Sequence, residues 1–340
     1  MRHMHLRIHT RFTVAITACV LALAAPHANA EVSEIKIARG FGIGYLALMV
    51  MEQNKLVEKH VQAQGLKEVA VSWQTLGAGT VMNDALLSGS LHFAAGGVPP
   101  FLTLWGRTRG NLDVKAVGAL SSMPLFLNTR DAAIKSIRDY SDKNKIALAG
   151  PKSGIHAIVL QMAVAREFGD ANFSKLDPLT VNFAHPDGMA AFLSGGEITS
   201  HFTSPPFQYL ELERAGVRTV LNSYDVLGGP ATFLVVWATG KFRDENPKSY
   251  AAFAAALEEA TDWINRDKRA AAELYLRVSK DKDTVEGLLK LMNDPAFRFT
   301  LAPENTMKFA DFMFKIGTIK QKAASWKDLF FPNVYNLPGS

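Results

Sequence analysis

Short apolar segments typical of β-strands alternate with helical segments along most of this chain, and this alternation constrains its fold more than any other feature. The strand-like segments cover residues 35–38, 69–73, 91–95, 114–120, 146–149, 179–184, 198–203 and 231–238. Parallel neighbours in a sheet need a long crossover between them, and the crossover is usually a helix. The alternation therefore predicts an α/β fold with mostly parallel sheets.

Residues that start and stop helices lie between the predicted strands. Thr80 and Ser153 are suited to cap helices over 81–87 and from residue 155, and Gly169 is suited to end the second one. The last hundred residues change character, with an alanine-rich segment after Pro247 and few strand signals. We therefore expect a helical C-terminal region.

Two further helices are predicted within this C-terminal region. Asp283 and Glu286 have the spacing of a capping box for a helix over 285–292. Pro303 is a suitable first residue for a later helix that ends near Gly317.

Residues 1–30 have the three parts of a secretion signal. Arginines precede an apolar run over 12–25, and small residues follow at Ala28 and Ala30, which predicts cleavage after Ala30. The run is shorter than the roughly 20 residues that span a bilayer, which argues against a permanent anchor. Cys19 lies in a possible lipoprotein cleavage box, but the apolar run continues beyond it. We expect a cleaved, exported protein.

The only cysteine is Cys19, so the predicted mature chain has no disulfide, no cysteine metal site and no cysteine nucleophile. The formal net charge of +5 falls to +2 when Arg2, Arg7 and Arg11 leave with the signal, which gives little support to nucleic-acid binding. Residues 31–340 exceed the usual size of one core and suggest two closely joined domains.

A repeat with an offset of 106 residues relates two parts of the chain. Leu-Ser-Gly at 87–89 is followed by Pro99-Pro100, and Leu-Ser-Gly at 193–195 is followed by Pro205-Pro206. The repeat is consistent with a recurrent turn within one sheet. It is also consistent with two similar lobes that each offer a Pro-Pro loop to a shared cleft.

Four loops that follow predicted strands have the composition of a binding site, at 42–45, 77–80, 153–154 and 203–204. Ligands of open α/β sheets bind beyond the carboxyl ends of the strands. Glycine allows close approach of the backbone, and free N–H groups at a helix start attract anions. Each residue is also consistent with a turn or cap. Arg39 is a possible counter-ion or a member of a surface ion pair.

Motifs for other chemistry are weak. The pattern Gly42-x-Gly44-x-x-Ala47 matches a dinucleotide fingerprint, but the second predicted strand is followed by Gln74 and Thr75 instead of an acid. No Walker loop, H-E-x-x-H or G-x-S-x-G occurs. The histidines beyond residue 30 lack metal-ligand spacing; they are His60, His92, His156, His185 and His201. We expect no catalytic residue, metal or cofactor.

Several segments in order along the chain resemble one protein family. They read IKIARGFGIGYLALMVMEQNKLVEK, GAGT, ALLSGSLHFAAGGVPP, KIALAGPKSGIHAIVLQMAV, AFLSGGEITSHFTSPPFQY and SWKDLFFPNVYNLPGS. Together they resemble the periplasmic substrate-binding proteins of nitrate/sulfonate/taurine ABC importers, a class that includes relatives of the thiamine-pyrimidine binding proteins. The pyrimidine-synthesising branch of that superfamily uses cysteine-rich and histidine-rich motifs, which the mature chain lacks.

The resemblance implies a two-lobed periplasmic binding protein fold of type II, with a mostly parallel sheet flanked by helices in each lobe. The first lobe would comprise 31–124 and 228–340, including the C-terminal helices, and the second 125–227. Carried over from the family, the ligand-binding residues would be Gly42, Gly44, Tyr45, Gly77, Ala78, Gly79, Thr80, Gly97, Val98, Pro99, Ser153, Gly154, Ile155, Thr203, Ser204 and Pro205.

The function implied by the resemblance is capture of a small organic anion, such as a sulfonate, carboxylate or nitrate-like ion, by a periplasmic monomer. The partner would be the permease of an ABC importer at the inner membrane, with no nucleic acid involved. Two alternatives remain open at this point. One is a periplasmic enzyme on the same scaffold with His156 or His185 as acid or base, and the other is a binding protein that reports to a membrane sensor.

Overall fold

The computed structural model describes residues 31–340, so the predicted secretion signal, Cys19 and the cleavage site after Ala30 lie outside the described residues. Ten strands occur in the described part. They are β1 (Glu34–Arg39), β2 (Ala70–Thr75), β3 (Ala94–Gly97), β4 (Lys115–Ser122), β5 (Phe126–Thr129), β6 (Ile146–Leu148), β7 (Thr180–Asn182), β8 (Ser200–Thr203), β9 (Arg218–Asn222) and β10 (Thr232–Ala238).

Fourteen α-helices accompany the strands within residues 31–340. They are α1 (Leu46–Gln53), α2 (Leu56–Ala63), α3 (Gly79–Leu87), α4 (Val98–Thr108), α5 (Ile155–Phe168), α6 (His185–Leu193), α7 (Phe207–Leu212), α8 (Ser223–Leu227), α9 (Gly240–Glu245), α10 (Pro247–Arg266), α11 (Lys268–Ser279), α12 (Val285–Met292), α13 (Thr306–Lys315) and α14 (Trp326–Leu329).

The first sheet has the strand order β2-β1-β3-β10-β4. Strand β1 pairs with β2 in parallel, and β10 pairs with both β3 and β4 in antiparallel register. A parallel bridge between Ile37 and Phe93 joins the two parts of this sheet, and the amide of Ala38 donates to the Phe93 carbonyl at 3.0 Å. Four of its strands therefore run in one direction, with β10 opposed.

The second sheet has the strand order β7-β6-β8-β5-β9. Strand β6 pairs in parallel with β7 and β8, and β5 is antiparallel to both β8 and β9. One strand is again opposed to the other four, and it occupies the fourth place in the order, as β10 does in the first sheet. The prediction of an α/β fold with mostly parallel sheets and flanking helices is confirmed.

The two copies of the sequence repeat occupy equivalent places in these sheets. Strand β3 is the third strand of the first sheet and runs into Pro99-Pro100, which lie in the first turn of α4. Strand β8 is the third strand of the second sheet and is followed by Pro205-Pro206, just before α7. The repeat thus relates two sheets and is not a recurrent turn within one sheet.

The chain passes between the sheets twice. It leaves the first sheet after β4 and enters the second at β5, and it returns between β9 and β10. The C-terminal helices then pack on the first sheet side, where α10 lies against α1 and α2. Among residues 31–340, no helix combines the length and the apolar composition that crossing a membrane requires.

Helix α10 begins at Pro247, as predicted from the sequence. Its first amides meet the carboxylate of Glu31, which accepts from the N–H groups of Lys248 and Ser249 at 2.8 and 3.0 Å. An acidic group at a helix start is favourable because the free N–H groups carry partial positive charge. Glu31 therefore anchors the first described residue to a helix more than 200 positions away.

Several predicted helix starts are wrong. Thr80 and Ser153 are not caps, because α3 starts at Gly79 after Ala78, and α5 starts after Gly154, both without a side-chain cap. The predicted capping box of Asp283 and Glu286 is replaced by Thr284, whose hydroxyl accepts from the Gly287 amide at 3.0 Å. The helix predicted from Pro303 begins at Thr306. The predicted end of α5 at Gly169 is confirmed.

Candidate functional site

A cavity of about 40 Å³ lies where loops of the two sheets meet. This volume admits about three water molecules or a small ion. Its walls come from the segment after β1, the loop after β2, the end of β3, the loop after β6, the start of α6 and strand β10. The lining residues are Gly40, Phe41, Tyr45, Gly77, Ala78, Gly79, Thr80, Gly97, Pro100, Ala149, Gly150, Gly154, Ile155, His156, His185, Phe233 and Leu234.

Three helices start at this cavity. Helices α3 and α4 come from the first sheet and α5 from the second, and their N-cap residues are Ala78, Gly97 and Gly154. None of these three residues makes a side-chain cap hydrogen bond. The first N–H groups of a helix have no partner within it and carry partial positive charge, so they suit an anion. In α4 the second and third residues are Pro99 and Pro100, which have no N–H, so the donors come mainly from α3 and α5.

The structure brings half of the sequence-predicted site residues to the cavity. Those that line it are Tyr45, Gly77, Ala78, Gly79, Thr80, Gly97, Gly154 and Ile155. Those that do not line it are Gly42, Gly44, Val98, Pro99, Ser153, Thr203, Ser204 and Pro205.

Contacts of the glycines explain why part of the first loop does not line the cavity. Gly42 has φ +98°, and a Cβ atom there would lie 2.9 Å from the Pro205 carbonyl oxygen. The loop at 42 and the loop at 203–205 therefore contact each other. Gly44 lies against β10, where a Cβ atom would come within 2.8 Å of Phe233 and Leu234.

Two more glycines hold the loops of the two sheets close together. A Cβ atom at Gly97 would lie 2.7 Å from the Cβ atom of Ile155, at the start of α5. Real Cβ atoms do not approach so closely, so this contact requires glycine. Gly77 faces Ala184 more loosely, at 3.6 Å for an added Cβ atom. Backbone from the first sheet thus meets backbone from the second at the cavity.

Several lining residues carried no recognisable signal in the sequence or were assigned other roles. Phe233 and Leu234 enter from β10, far along the chain from the loops that they face. His156 and His185, which also line the cavity, entered the sequence analysis as the acid or base of an alternative enzyme. Pro100 belongs to a Pro-Pro loop considered for a shared cleft, but it was not among the predicted ligand contacts. The other residues that sequence reasoning missed are Gly40, Phe41, Ala149 and Gly150.

The titratable side chains that line the cavity are neutral at pH 7. Burial raises the pKa of the Tyr45 hydroxyl above its usual range. Burial, reinforced by the nearby His201, lowers the pKa of His156 to about 3. Burial also lowers the pKa of His185 well below its ordinary value, with further contributions from His156 and His201.

The two lining histidines belong to a buried cluster. The ring centroids of His156 and His185 are 4.8 Å apart, and those of His185 and His201 are 6.0 Å apart. His185 Nδ1 lies 2.8 Å from the Thr203 hydroxyl, while Nε2 of His156 is buried without a hydrogen-bond partner. Thr203, which is also predicted to contact ligand, supports a histidine that lines the cavity.

A buried pair lies behind the histidines, away from the cavity. His201 Nδ1 is 2.5 Å from a carboxylate oxygen of Glu211, and both side chains are fully buried. The second carboxylate oxygen accepts from Asn128 Nδ2 at 2.9 Å. This carboxylate is therefore satisfied within the protein and does not face the cavity.

Among residues 31–340, no lysine, arginine, aspartate or glutamate lines the cavity. Arg39, the counter-ion candidate, donates from Nε to Glu52 at 3.1 Å and so forms an ion pair. Within the same described part, no group of three His, Cys, Asp or Glu side chains could hold a metal ion. Polar recognition in the cavity therefore falls to backbone amides, Thr80, Tyr45 and the two histidines.

The fold is similar to those of several solved structures. The alkanesulfonate-binding protein SsuA from Xanthomonas axonopodis pv. citri, solved bound to MOPS, matches with a TM-score of 0.67 and 18% identity, over 86% of this chain and 96% of that chain. The periplasmic nitrate-binding protein NrtA from Synechocystis PCC 6803 matches with a TM-score of 0.66 and 15% identity, over 85% and 82%.

A protein from Candida albicans, described as having the generic periplasmic binding protein structural fold, matches with a TM-score of 0.64 and 12% identity, over 85% and 92%. A comparison with curated protein sequences gave no match. The model of the NMT1-like family matches residues 28–278, most of the chain, and the protein therefore belongs to the NMT1-like family.

Proposed function

We propose that this protein is the solute-binding component of an ABC importer and that it captures a small anion in the cavity between the two sheets. The observation that carries the proposal is the meeting at one cavity of two helix N-termini with free amides, that of α3 from the first sheet and that of α5 from the second. A hydrogen bond from such a group to a charged ligand contributes about 1.5–3 kcal/mol. The similar solved structures include proteins named for sulfonate and nitrate binding.

We propose that the sheets belong to two lobes, 31–124 with 228–340 and 125–227, which close on the ligand by a hinge motion. The two chain crossings between the sheets, after β4 and before β10, support hinges at these places. The residues proposed to contact ligand are the predicted ones that line the cavity, together with His156 and His185. The protein would act as a monomer that docks on the permease.

Export to the periplasm, with cleavage after Ala30, belongs to this proposal. The contact of Glu31 with the first amides of α10 supports it, because a chain that begins at Glu31 keeps a partner for this helix start. Mass spectrometry of the exported protein tests the cleavage site. The expected N-terminus is Glu31, and a lipid on Cys19 would contradict the proposal.

We favour binding without catalysis. A general base works best with a pKa near the working pH, whereas burial lowers the pKa of His156 to about 3 and that of His185 well below its usual value. Neither histidine contacts a carboxylate that would raise its basicity, since Glu211 pairs with His201.

A thermal-shift screen tests the proposed function. Sulfonates, nitrate, bicarbonate, aromatic carboxylates and pyrimidines are added separately to the protein. A ligand at about 100 times its dissociation constant stabilises the folded state by about 2.7 kcal/mol. Stabilisation by at least one anion is expected. Turnover of an ester or amide substrate without stabilisation by any anion would contradict the proposal.

A further inference from the structure

One side chain of the cavity wall is held by a hydroxyl that does not itself line the cavity. His185 lines the cavity, and its Nδ1 atom lies 2.8 Å from the Thr203 hydroxyl. Thr203 is the last residue of β8, and its side chain is fully buried. Because a hydroxyl can both donate and accept, this hydrogen bond forms with either tautomer of the imidazole.

Ring contacts alone do not fix which edge of this imidazole is turned to the cavity. The His185 ring stacks on Phe207 with centroids 6.0 Å apart, and His156 meets it edge to face at 4.8 Å. A half-turn of the ring exchanges its two nitrogens with two carbons and leaves its outline nearly unchanged, so these contacts tolerate both orientations. The bond to the Thr203 hydroxyl separates the orientations, because only one of them places Nδ1 at the hydroxyl.

The His185 ring lies where the second sheet meets the first. His185 is the first residue of α6, and a Cβ atom added at Gly77 would lie 3.6 Å from the neighbouring Ala184. Segment 77–80 brings the start of α3 to the same cavity. In a cavity of about 40 Å³, a ligand held at the start of α3 also lies close to this ring. The orientation of the ring then decides whether a nitrogen or a carbon is presented to the ligand.

We propose that Thr203 is a positioning residue for anion binding, whose hydroxyl holds the His185 ring in its binding orientation without contacting the ligand. The inference rests on the proposed function. It differs from the role that the family resemblance implies, in which Thr203 contacts the ligand directly. Without the hydroxyl, Nδ1 loses its partner and the ring turns away for part of the time, so that affinity falls in proportion to the fraction that remains correctly oriented.

Isothermal titration calorimetry of two variants tests this role, with nitrate and methanesulfonate as probes. Thr203→Val keeps the shape of the side chain and removes the hydroxyl, whereas Thr203→Ser keeps the hydroxyl. We expect Kd to rise about 3- to 10-fold in Thr203→Val. In Thr203→Ser, Kd should stay within about twofold of the unaltered protein, because the hydrogen bond to His185 is retained.

A double-mutant cycle distinguishes positioning from direct contact. His185→Phe keeps an aromatic ring but has no nitrogen to accept or donate a hydrogen bond. In the His185→Phe protein, the further change Thr203→Val should alter Kd by less than about 1.5-fold, because the interaction on which it acts is already lost. A threonine that contacts the ligand would cause the same loss of affinity with either residue at position 185.

Thr129→Val is the matched control. Thr129 is also a fully buried threonine of the second sheet, and its hydroxyl donates to the Thr199 carbonyl at 3.0 Å. It pairs with Ser200, at the opposite end of β8 from Thr203, and does not line the cavity. Its replacement should lower the unfolding free energy in urea and leave Kd within about twofold of the unaltered protein.

The outcomes separate this inference from the proposed function. An unchanged Kd in Thr203→Val, or a loss of affinity that serine also causes, overturns the positioning role and leaves anion binding standing. An equal loss with histidine and with phenylalanine at position 185 overturns it in favour of direct contact. If Thr203→Val fails to fold, Thr203→Ala, which also lacks the hydroxyl, takes its place in the cycle. If neither probe binds the unaltered protein, the inference is overturned, and the wider screen then decides whether the protein binds anions at all.

Discussion

A single methyl group added at Gly97 should separate binding from folding. Gly97 is the residue before α4, and its φ of −62° is open to alanine without backbone strain. The added Cβ atom would lie 2.7 Å from Cβ and 2.9 Å from Cγ2 of Ile155, at the start of α5. The clash therefore falls between a loop of the first sheet and a helix of the second.

The size of the effect follows from the cost of overpacking, which is typically about 1–3 kcal/mol. If the sheets belong to two lobes that open, the open form relieves the clash and only the closed, ligand-bound form bears it. Affinity should then fall about 5- to 150-fold, since 1.4 kcal/mol corresponds to a factor of ten. The unfolding free energy without ligand should change little.

The assay is calorimetric binding of the anion that stabilises the protein most, together with urea unfolding of the same variants without ligand. Gly106→Ala is the matched control, because Gly106 lies on the same helix α4 outside the cavity and an added Cβ atom there meets Ile319 at an ordinary 3.7 Å. Its affinity should stay within about threefold. Loss of unfolding free energy in Gly97→Ala without loss of affinity would refute lobe closure across this contact.

Three other predictions concern stability. Glu211→Ala should lower the unfolding free energy, measured in urea, by about 3–5 kcal/mol, because it leaves the fully buried His201 and Asn128 without their carboxylate partner. Replacement of the exposed Glu213 by alanine should change the unfolding free energy by less than about 0.5 kcal/mol. Equal effects of the two substitutions would contradict the role of the buried pair. Phe93→Ala should lower the unfolding free energy by about 3–5 kcal/mol, because it removes a fully buried ring that stacks on Phe253. Phe314 is 41% exposed, and its replacement by alanine should lower the unfolding free energy by less than about 1 kcal/mol. Comparable losses would show that burial does not determine the loss of stability. Burial lowers the pKa of His156 to about 3 and that of His185 well below its ordinary value, so each should remove up to about 1.4 kcal/mol of unfolding free energy per pH unit as the pH falls from about 6.5 to 5. His156→Gln should remove the contribution of His156 and leave that of His185, and an unchanged slope would contradict the assignment.

The sequence predicted eight of the ten strands of residues 31–340, and the two that it missed have a physical reason. Strand β5 includes Asn128 and Thr129, which are fully buried although they are polar. Asn128 bonds to Glu211, and Thr129 donates to the Thr199 carbonyl at 3.0 Å. Strand β9 is an edge strand in which only Leu221 is buried. Neither strand has the apolar pattern on which strand prediction depends.

The predicted site residues match the cavity lining best where a single loop supplies them. The segment 77–80 lines the cavity throughout, because one strand end and one helix start fix all four residues. Phe233 and Leu234 come from strand β10, which lies far along the chain from the loops that it faces. No local sequence pattern therefore predicts that these two residues line the cavity. The predicted cap at Thr80 was wrong because the helix begins one residue earlier, at Gly79, so Thr80 lies in its first turn.

The same geometry that makes the cavity attractive to anions also explains how it can stay free of charged side chains. A buried lysine or arginine would have to lose its hydration even when no ligand is present, which is costly without a partner. Helix N-termini carry only partial charges fixed in the backbone, so they incur no such cost in the empty protein. On this argument, replacing His156 by lysine should destabilise the empty protein, while the neutral His156→Gln should not.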